Sequence, residues 1–369
     1  MVCVIVFTGV SSIASAAAVD LPDNMIWSCY DVGSSGYVQA SAVANAFLKQ
    51  YNKRVRLIPS GTSIGRIIPL TTGKASVGFL ANEAFFASEG SYDFAAYSWG
   101  PQDLRAILGR PTSFPLITTK DSGIKKVEDV KGRKVSWVVG NPSLNIKMTA
   151  ILAFAGLTWN DVEKVTFPGY ADSLKALIQG NVEVAVGSTT ASVLYELETS
   201  VKGVYYPELP PENKEGWARL RKIIPFGFPY KENIGAGIEK DKPLWLLGYK
   251  YPVVTVRSDE DANFVYNFTK AMDETFSIYK DAASSMATWE ISQSGAAPMD
   301  VPFHEGAIRY LKEKGIWNSE SEEWQKERVA QTEMFKKEWV KAVEYAKSRN
   351  MDQKAFSEYW MNKLDELKK

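Results

Sequence analysis

Val55-Arg56-Leu57-Ile58, then Ser60-Gly61-Thr62-Ser63-Ile64-Gly65, then Ile67-Ile68, and after Gly73 the run Val77-Gly78-Phe79-Leu80: residues 55–80 spell strand, turn, helix, strand. Short apolar runs bounded by turn residues suit buried strands, and Ile64, Ile67 and Ile68 fall on one face of a helix. Two strands separated by one helix pair in parallel. Upstream the pattern continues with a strand at 25–31 and a helix carrying Ala40, Val43, Ala44, Phe47, Leu48 and Tyr51, and downstream with Arg105-Ala106-Ile107-Leu108. Such alternation predicts a mainly parallel sheet covered on both faces.

The rhythm restarts after Phe114-Pro115-Leu116-Ile117-Thr118-Thr119. Strands are expected at 134–139, 164–167 and 182–186, separated by helices that carry Ile146, Ala150, Phe154 and Leu174, Leu177, Ile178. With 369 residues, 45% of them apolar, the chain exceeds the size at which one core keeps growing, so two α/β lobes are expected. A strand at 251–256 follows, then an amphipathic helix with Val265, Phe268, Met272, Phe276 and Tyr279. From about 320 the tail reads as helix, with Phe335, Trp339, Val343 and Ala346, then Phe356, Tyr359, Trp360 and Leu367, on core-facing spacings.

The 43 basic and 43 acidic side chains cancel without forming a basic block, so nucleic acid is not an expected partner. Residues 1–18 run from Val4-Ile5-Val6-Phe7 to Ala14-Ser15-Ala16-Ala17-Ala18 and read as a secretory signal whose usual basic start is missing. Export to the periplasm is therefore expected. No later apolar run reaches the roughly 20 residues of a membrane span. Of the two cysteines, Cys3 falls in the signal, which leaves Cys29 in an apolar run as a buried, inert thiol with no disulfide partner.

Three strand-to-helix junctions share a composition: Gly33-Ser34-Ser35-Gly36-Tyr37, Ser60-Gly61-Thr62-Ser63-Ile64-Gly65 and Gly140-Asn141-Pro142-Ser143-Leu144-Asn145; Gly187-Ser188-Thr189-Thr190 is a fourth. Short hydroxyl and amide side chains there serve either as N-caps or, with free backbone N–H groups and the helix dipole, as an anion site suited to a carboxylate. In an open parallel sheet ligands bind at this edge, where Asn82 and Glu83 also fall. Tyr37 and Trp137 adjoin two of the turns, and Trp27, Phe85, Phe86 and Trp99 are further candidates to roof a ligand. Arg66, one turn into its helix, either pairs with a carboxylate or faces solvent.

Gly61-Thr62-Ser63-Ile64-Gly65 also fits the nucleophile elbow of serine hydrolases, with His304 as the one available base. Against that reading, no oxyanion-hole segment precedes it and His304 sits at a helix start. One histidine and one remaining cysteine do not make an ordinary zinc site, and no P-loop or dinucleotide fingerprint occurs, so no cofactor is expected.

The order of segments resembles the TAXI-type solute-binding proteins of tripartite ATP-independent periplasmic (TRAP) transporters. It is carried by Gly33–Tyr37, Pro59–Leu80, Asp121–Val135, Ala155-Gly156-Leu157, Gly169–Leu177 and Gly180–Val186, over about 20–315. The resemblance implies a two-lobed, type II periplasmic-binding-protein-like fold with a hinge. Residues 19–116 and 256–316 would form lobe I and 117–255 lobe II, with 317–369 as a C-terminal helical extension. It implies a pocket built from Ser34, Ser35, Tyr37, Thr62, Ser63 and Asn82 of the first lobe and Asn141, Ser143, Asn145, Ser188 and Thr189 of the second. It further implies a small carboxylate ligand, such as an amino acid or dicarboxylate, and membrane subunits as partners. The first turn lacks the family's Tyr-Tyr-Pro run, and the last 50 or so residues exceed its pattern. A receptor for an ATP-driven transporter, a sensor domain, or a scaffold without a ligand would share these features.

Overall fold

A computed structural model describes residues 19–369; the expected signal, with Cys3, lies outside the described residues. The first part of the chain forms β1 (Asn24–Tyr30), α1 (Ser35–Tyr51), β2 (Arg54–Ser60), α2 (Ser63–Thr71), β3 (Val77–Leu80), α3 (Glu83–Glu89) and β4 (Leu104–Ser113). Then come β5 (Leu116–Thr119), β6 (Lys134–Val138), α4 (Pro142–Phe154), β7 (Glu163–Phe167), α5 (Tyr170–Gln179), β8 (Ala185–Val186), α6 (Ser192–Thr199), β9 (Val204–Tyr205) and α7 (Lys214–Ile223). The chain returns through β10 (Phe228–Glu232) and the long β11 (Leu244–Arg257). It ends in helices α8 (Ala262–Glu274), α9 (Phe276–Tyr279), α10 (Ile291–Ser294), α11 (Glu305–Glu313), α12 (Ser319–Ser348) and α13 (Gln353–Leu367).

Both lobes are wound the same way. In the first, the strand order is β2-β1-β3-β11-β4, with β1 parallel to β2 and β3, and β11 antiparallel to β3 and β4. In the second, β6 pairs in parallel with β7, a parallel bridge from Val135 to Val184 joins it to the run that ends in β8, and β5 lies antiparallel between β8 and β9. Each sheet therefore contains one reversed strand, β11 in the first, which also pairs antiparallel with β10, and β5 in the second. This is why neither sheet is as parallel as its alternating sequence suggests. The expected strand at 182–186 is reduced to Ala185–Val186, and the one at 251–256 proves to be the end of β11, whose earlier half pairs with β10.

The first lobe packs around Trp27, which is fully buried with its ring 5.3 Å from Phe79, 5.3 Å from Phe268 and 5.5 Å from Phe47. Trp27 is thus core, and Trp99, half-buried, packs against the same core with its ring 5.1 Å from Phe94. The C-terminal helices cover this lobe. Trp339 meets Trp360 at 4.9 Å and Phe356 at 5.0 Å, and the Trp360 indole donates to Gly90 O at 2.9 Å. Gly100, at φ +82, passes beneath Trp339 so closely that a Cβ would stand 2.5 Å from the ring, which only glycine permits.

Candidate functional site

The junctions picked out above meet face to face between the lobes. Ser34, Thr62 and Asn141 cap α1, α2 and α4, their side chains accepting from Tyr37 N, Gly65 N and Leu144 N at 3.1, 3.0 and 3.3 Å. Glycine and short polar residues also let the two backbones touch: Ile64 N donates to Gly140 O at 3.2 Å, Tyr170 N to Gly61 O at 3.2 Å, and Ser192 N to Gly33 O at 3.1 Å. Side chains add to these contacts. Ser63 Oγ donates to Asn141 Oδ1 at 2.8 Å and accepts from Ser143 N at 3.4 Å, while Asn141 Nδ2 donates to Gly61 O at 3.0 Å. Thr190 Oγ1 donates to Ser35 Oγ at 2.8 Å, and the Asp31 carboxylate accepts from Ala171 N at 3.1 Å, at the start of α5.

Behind this seam lie two buried cations. Arg66 is fully buried rather than solvent-facing: its Nε donates to Glu83 at 2.7 Å, its Nη2 to Ser63 Oγ at 3.1 Å, and its guanidinium lies 3.3 Å from the centre of the Tyr30 ring. Burial works most strongly against its charge, but Glu83 together with Tyr30 and Tyr251 more than offsets it and holds the guanidinium above its ordinary value. Lys147 projects from α4 of the second lobe into the wall of the first. Its ammonium donates to Asn82 Oδ1 at 2.7 Å and Ser143 Oγ at 3.4 Å, and lies over the rings of Phe114 and Tyr249 at 4.2 and 4.0 Å. Among the described residues no carboxylate comes within ion-pair distance of it. Burial brings its pKa down to about 7, with Glu83 and Asp300 resisting and Arg66 adding to the shift. Asn82 also donates to Asp300 Oδ2 at 2.9 Å, and burial raises that carboxyl to about 6.

Tyr30, Phe114, Lys147, Tyr170, Tyr249 and Tyr251 enclose a cavity of about 10 Å³ at the centre of this group. That is room for about one water molecule, so a larger ligand enters only if the lobes part.

Of the residues expected from sequence, Ser35, Ser63, Asn82, Asn141 and Ser143 sit in the inter-lobe network, and Ser188 lines the cavity. Ser34 and Thr62 act as helix caps. Three others serve their own lobe. Asn145 bridges Val138 N and O at 3.0 and 2.7 Å, Thr189 donates to Ile234 O at 2.8 Å, and Trp137 packs on Trp159 at 5.0 Å beneath Lys164. Tyr37 is half-buried against the core. Lys147, Asp300 and the tyrosines of β11 were not among the sequence candidates. In the sequence Lys147 stands out only as the one charged residue of α4.

The hydrolase geometry is missing. Ser63 Oγ is bonded to Asn141 and Arg66, and His304 is the N-cap of α11, its Nδ1 accepting from Gly306 N at 3.2 Å.

A protein-family model, described as NMT1-like, matches residues 32–315. The chain belongs to the NMT1-like family. It is accordingly a solute-binding protein of the periplasmic type and not an enzyme. Similar solved structures include a protein of Bordetella bronchiseptica RB50, at 17% identity over 81% of this chain and 90% of that one, with a TM-score of 0.46. Another is the alkanesulfonate-binding protein SsuA from Xanthomonas axonopodis pv. citri bound to MOPS, at 12% identity over 92% and 98% of the two chains, TM-score 0.46. The periplasmic aliphatic sulphonate binding protein SsuA from Escherichia coli is similar at 15% identity over 86% and 88%, TM-score 0.44. The matched family segment stops short of α12 and α13. Among the described residues no helix is long and apolar enough to cross a membrane.

Proposed function

We propose that this protein is an extracytoplasmic receptor that captures a small carboxylate, of amino-acid or dicarboxylate size, between its lobes and delivers it to TRAP-type membrane subunits. The observation that carries the ligand class is Lys147: a cation buried at the lobe interface without a carboxylate partner costs stability that an anionic ligand would recover. The N-termini of α4 and α5 add N–H donors at the same place, and Asp31 on Ala171 N already illustrates a carboxylate held there. Ser34, Ser35, Tyr37, Thr62, Ser63, Asn82, Trp137, Asn141, Ser143, Asn145, Ser188 and Thr189 made up the pocket expected from sequence. The geometry supports a smaller set of Ser35, Ser63, Asn82, Asn141, Ser143 and Ser188, joined by Arg66 and Lys147.

Binding needs no covalent step. Lobes that have parted admit the ligand, and contacts from both sides then favour closure to the extent that the ligand prefers the closed form. The TRAP assignment rests on the order of the TAXI-like segments, and export rests on the N-terminal stretch.

Thermal unfolding against amino acids, 2-oxoacids, dicarboxylates and neutral sugars tests the ligand class. A ligand at about 100 times its Kd adds roughly 2.7 kcal/mol, enough to raise Tm by about a degree or more. Shifts confined to carboxylates and lost in Lys147→Met are expected; a shift with sugars alone would refute the carboxylate reading. Uptake by reconstituted membrane subunits, driven by an ion gradient and indifferent to ATP, is expected of the TRAP pairing. Dependence on ATP would replace it with an ATP-driven transporter.

A further inference from the structure

A second, much larger cavity, of about 620 Å³, lies on the far side of Asn82 from Lys147, bordered by Asp300, where the C-terminal helices meet both lobes. Its volume is in the range of ordinary small-molecule sites. Three parts of the chain wall it. The first lobe supplies Phe85 and Met299, the segment after α7 supplies Phe226 and Phe228, and α12 supplies Trp324. Phe226 lies 5.0 Å from Phe85, so the aromatic wall is continuous across the lobes.

The charges around it do not balance. Glu89 is shared by Lys368 at 2.7 Å and Arg328 at 3.7 Å, and Arg328 also donates to Asp300 O at 2.9 Å. The Asp300 carboxylate is engaged by Asn82 on the side of the cleft. Lys250, from β11, is the cation left over: its ammonium donates only to the carbonyl oxygens of Gln293 and Ala296, at 3.2 and 3.4 Å, and meets no carboxylate at ion-pair distance among the described residues. Three cations thus face two carboxylates around an otherwise largely apolar chamber, an arrangement that favours one negative charge attached to an apolar body.

We propose that this cavity is a second ligand site, specific for a monoanionic organic acid whose carboxylate or sulfonate pairs with Lys250 and whose aromatic body packs between Phe226, Phe228 and Trp324. The site exists because α12 closes it, which gives the C-terminal helices a role that the cleft does not require.

Isothermal titration of the full chain with 3-phenylpropionate and its neutral counterpart 3-phenylpropanol tests the assignment, with Lys250→Met and Lys147→Met as the paired variants. In Lys147→Met, whose cleft no longer favours an anion, the acid is expected to bind one to one and at least about tenfold more tightly than the alcohol, since a charge-assisted contact distinguishes them. Adding Lys250→Met to that chain is expected to erase the difference. No heat at millimolar acid, or equal affinity for acid and alcohol, overturns the proposal. So does a preference lost in Lys147→Met but kept in Lys250→Met, because the acid then occupies the cleft. Should Lys250→Met fail to fold, the acid-to-alcohol ratio in Lys147→Met and the affinity of Trp324→Leu for the acid, expected to fall about tenfold, decide the matter.

Discussion

Carboxylate binding in the cleft is expected to take up a proton when the solution is above neutral pH. Burial holds Lys147 at a pKa of about 7, whereas a carboxylate beside it would restore a value near that of an ordinary lysine, about 10.5. At a pH between these values the free protein must acquire a proton to bind, so affinity falls as pH rises. With one proton linked, the factor between about pH 7 and about pH 9 is (1 + 100)/(1 + 1), roughly 50-fold or about 2.3 kcal/mol. Asp300, at about 6, is already ionised across most of this range, and Arg66 keeps its charge throughout. Calorimetric titration of a carboxylate identified in the thermal screen, in two buffers of different ionisation enthalpy, counts the proton directly. The same linkage fixes the stability of the free protein. Because the folded-state pKa lies below the unfolded one, the cost of a charged Lys147 is present in full below about pH 7 and is relieved progressively as pH rises towards 10.5. A Kd unchanged between the two pH values, with no buffer-dependent heat, would refute the reasoning.

Arg66→Met leaves Glu83 buried and unpaired and is expected to cost about 3–5 kcal/mol in urea unfolding, most of it recovered when Glu83→Leu is added. Trp360→Ala should lower stability by about 3–5 kcal/mol in the same assay, because the indole is fully buried and bonded to Gly90; a silent substitution would mean that α13 does not stabilise the lobe. Cys29, buried and pushed up to about 12, should resist thiol reagents in the native protein and react fully in denaturant. A fluorophosphonate probe should leave Ser63 unlabelled, and labelling abolished by Ser63→Ala would revive the hydrolase.

The parts of the site legible in the sequence are those made locally. A glycine and a short polar residue between a strand and a helix announce a junction, and in both lobes such junctions fall at the same sheet edge, so four separate segments pointed to one place. What was not legible depends on packing. Residues 142–148 are all buried, so α4 has no polar face against which Lys147 would look out of place. Asp300 comes from an irregular segment whose neighbours are set only by the tertiary fold, and Tyr249 and Tyr251 ride on a hinge strand whose first half did not read as a strand. Trp137 misled for the opposite reason. It adjoins a junction in sequence, yet it lies between buried Ser136 and Val138, and strand alternation turns its ring to the other face, where Trp159 receives it.

The closed seam also sets a limit on affinity. Donors at the starts of α2, α4 and α5 are already satisfied by groups of the opposite lobe: Ile64 N by Gly140, Ser143 N by Ser63, Tyr170 N by Gly61 and Ala171 N by Asp31. A ligand that enters must break several of these bonds, each with a net value of about 0.5–1.5 kcal/mol, so opening costs a few kcal/mol before any ligand contact forms. Apparent affinity is lowered by the same fraction. Lys147 is the cation of the seam that no carboxylate among the described residues pairs with, and it is therefore where a carboxylate gains most over the contacts it displaces. A neutral solute would exchange one set of hydrogen bonds for another and gain little; an anion adds the charge pair that the lobes lack, which is why ligand charge, more than ligand shape, decides entry into this cleft.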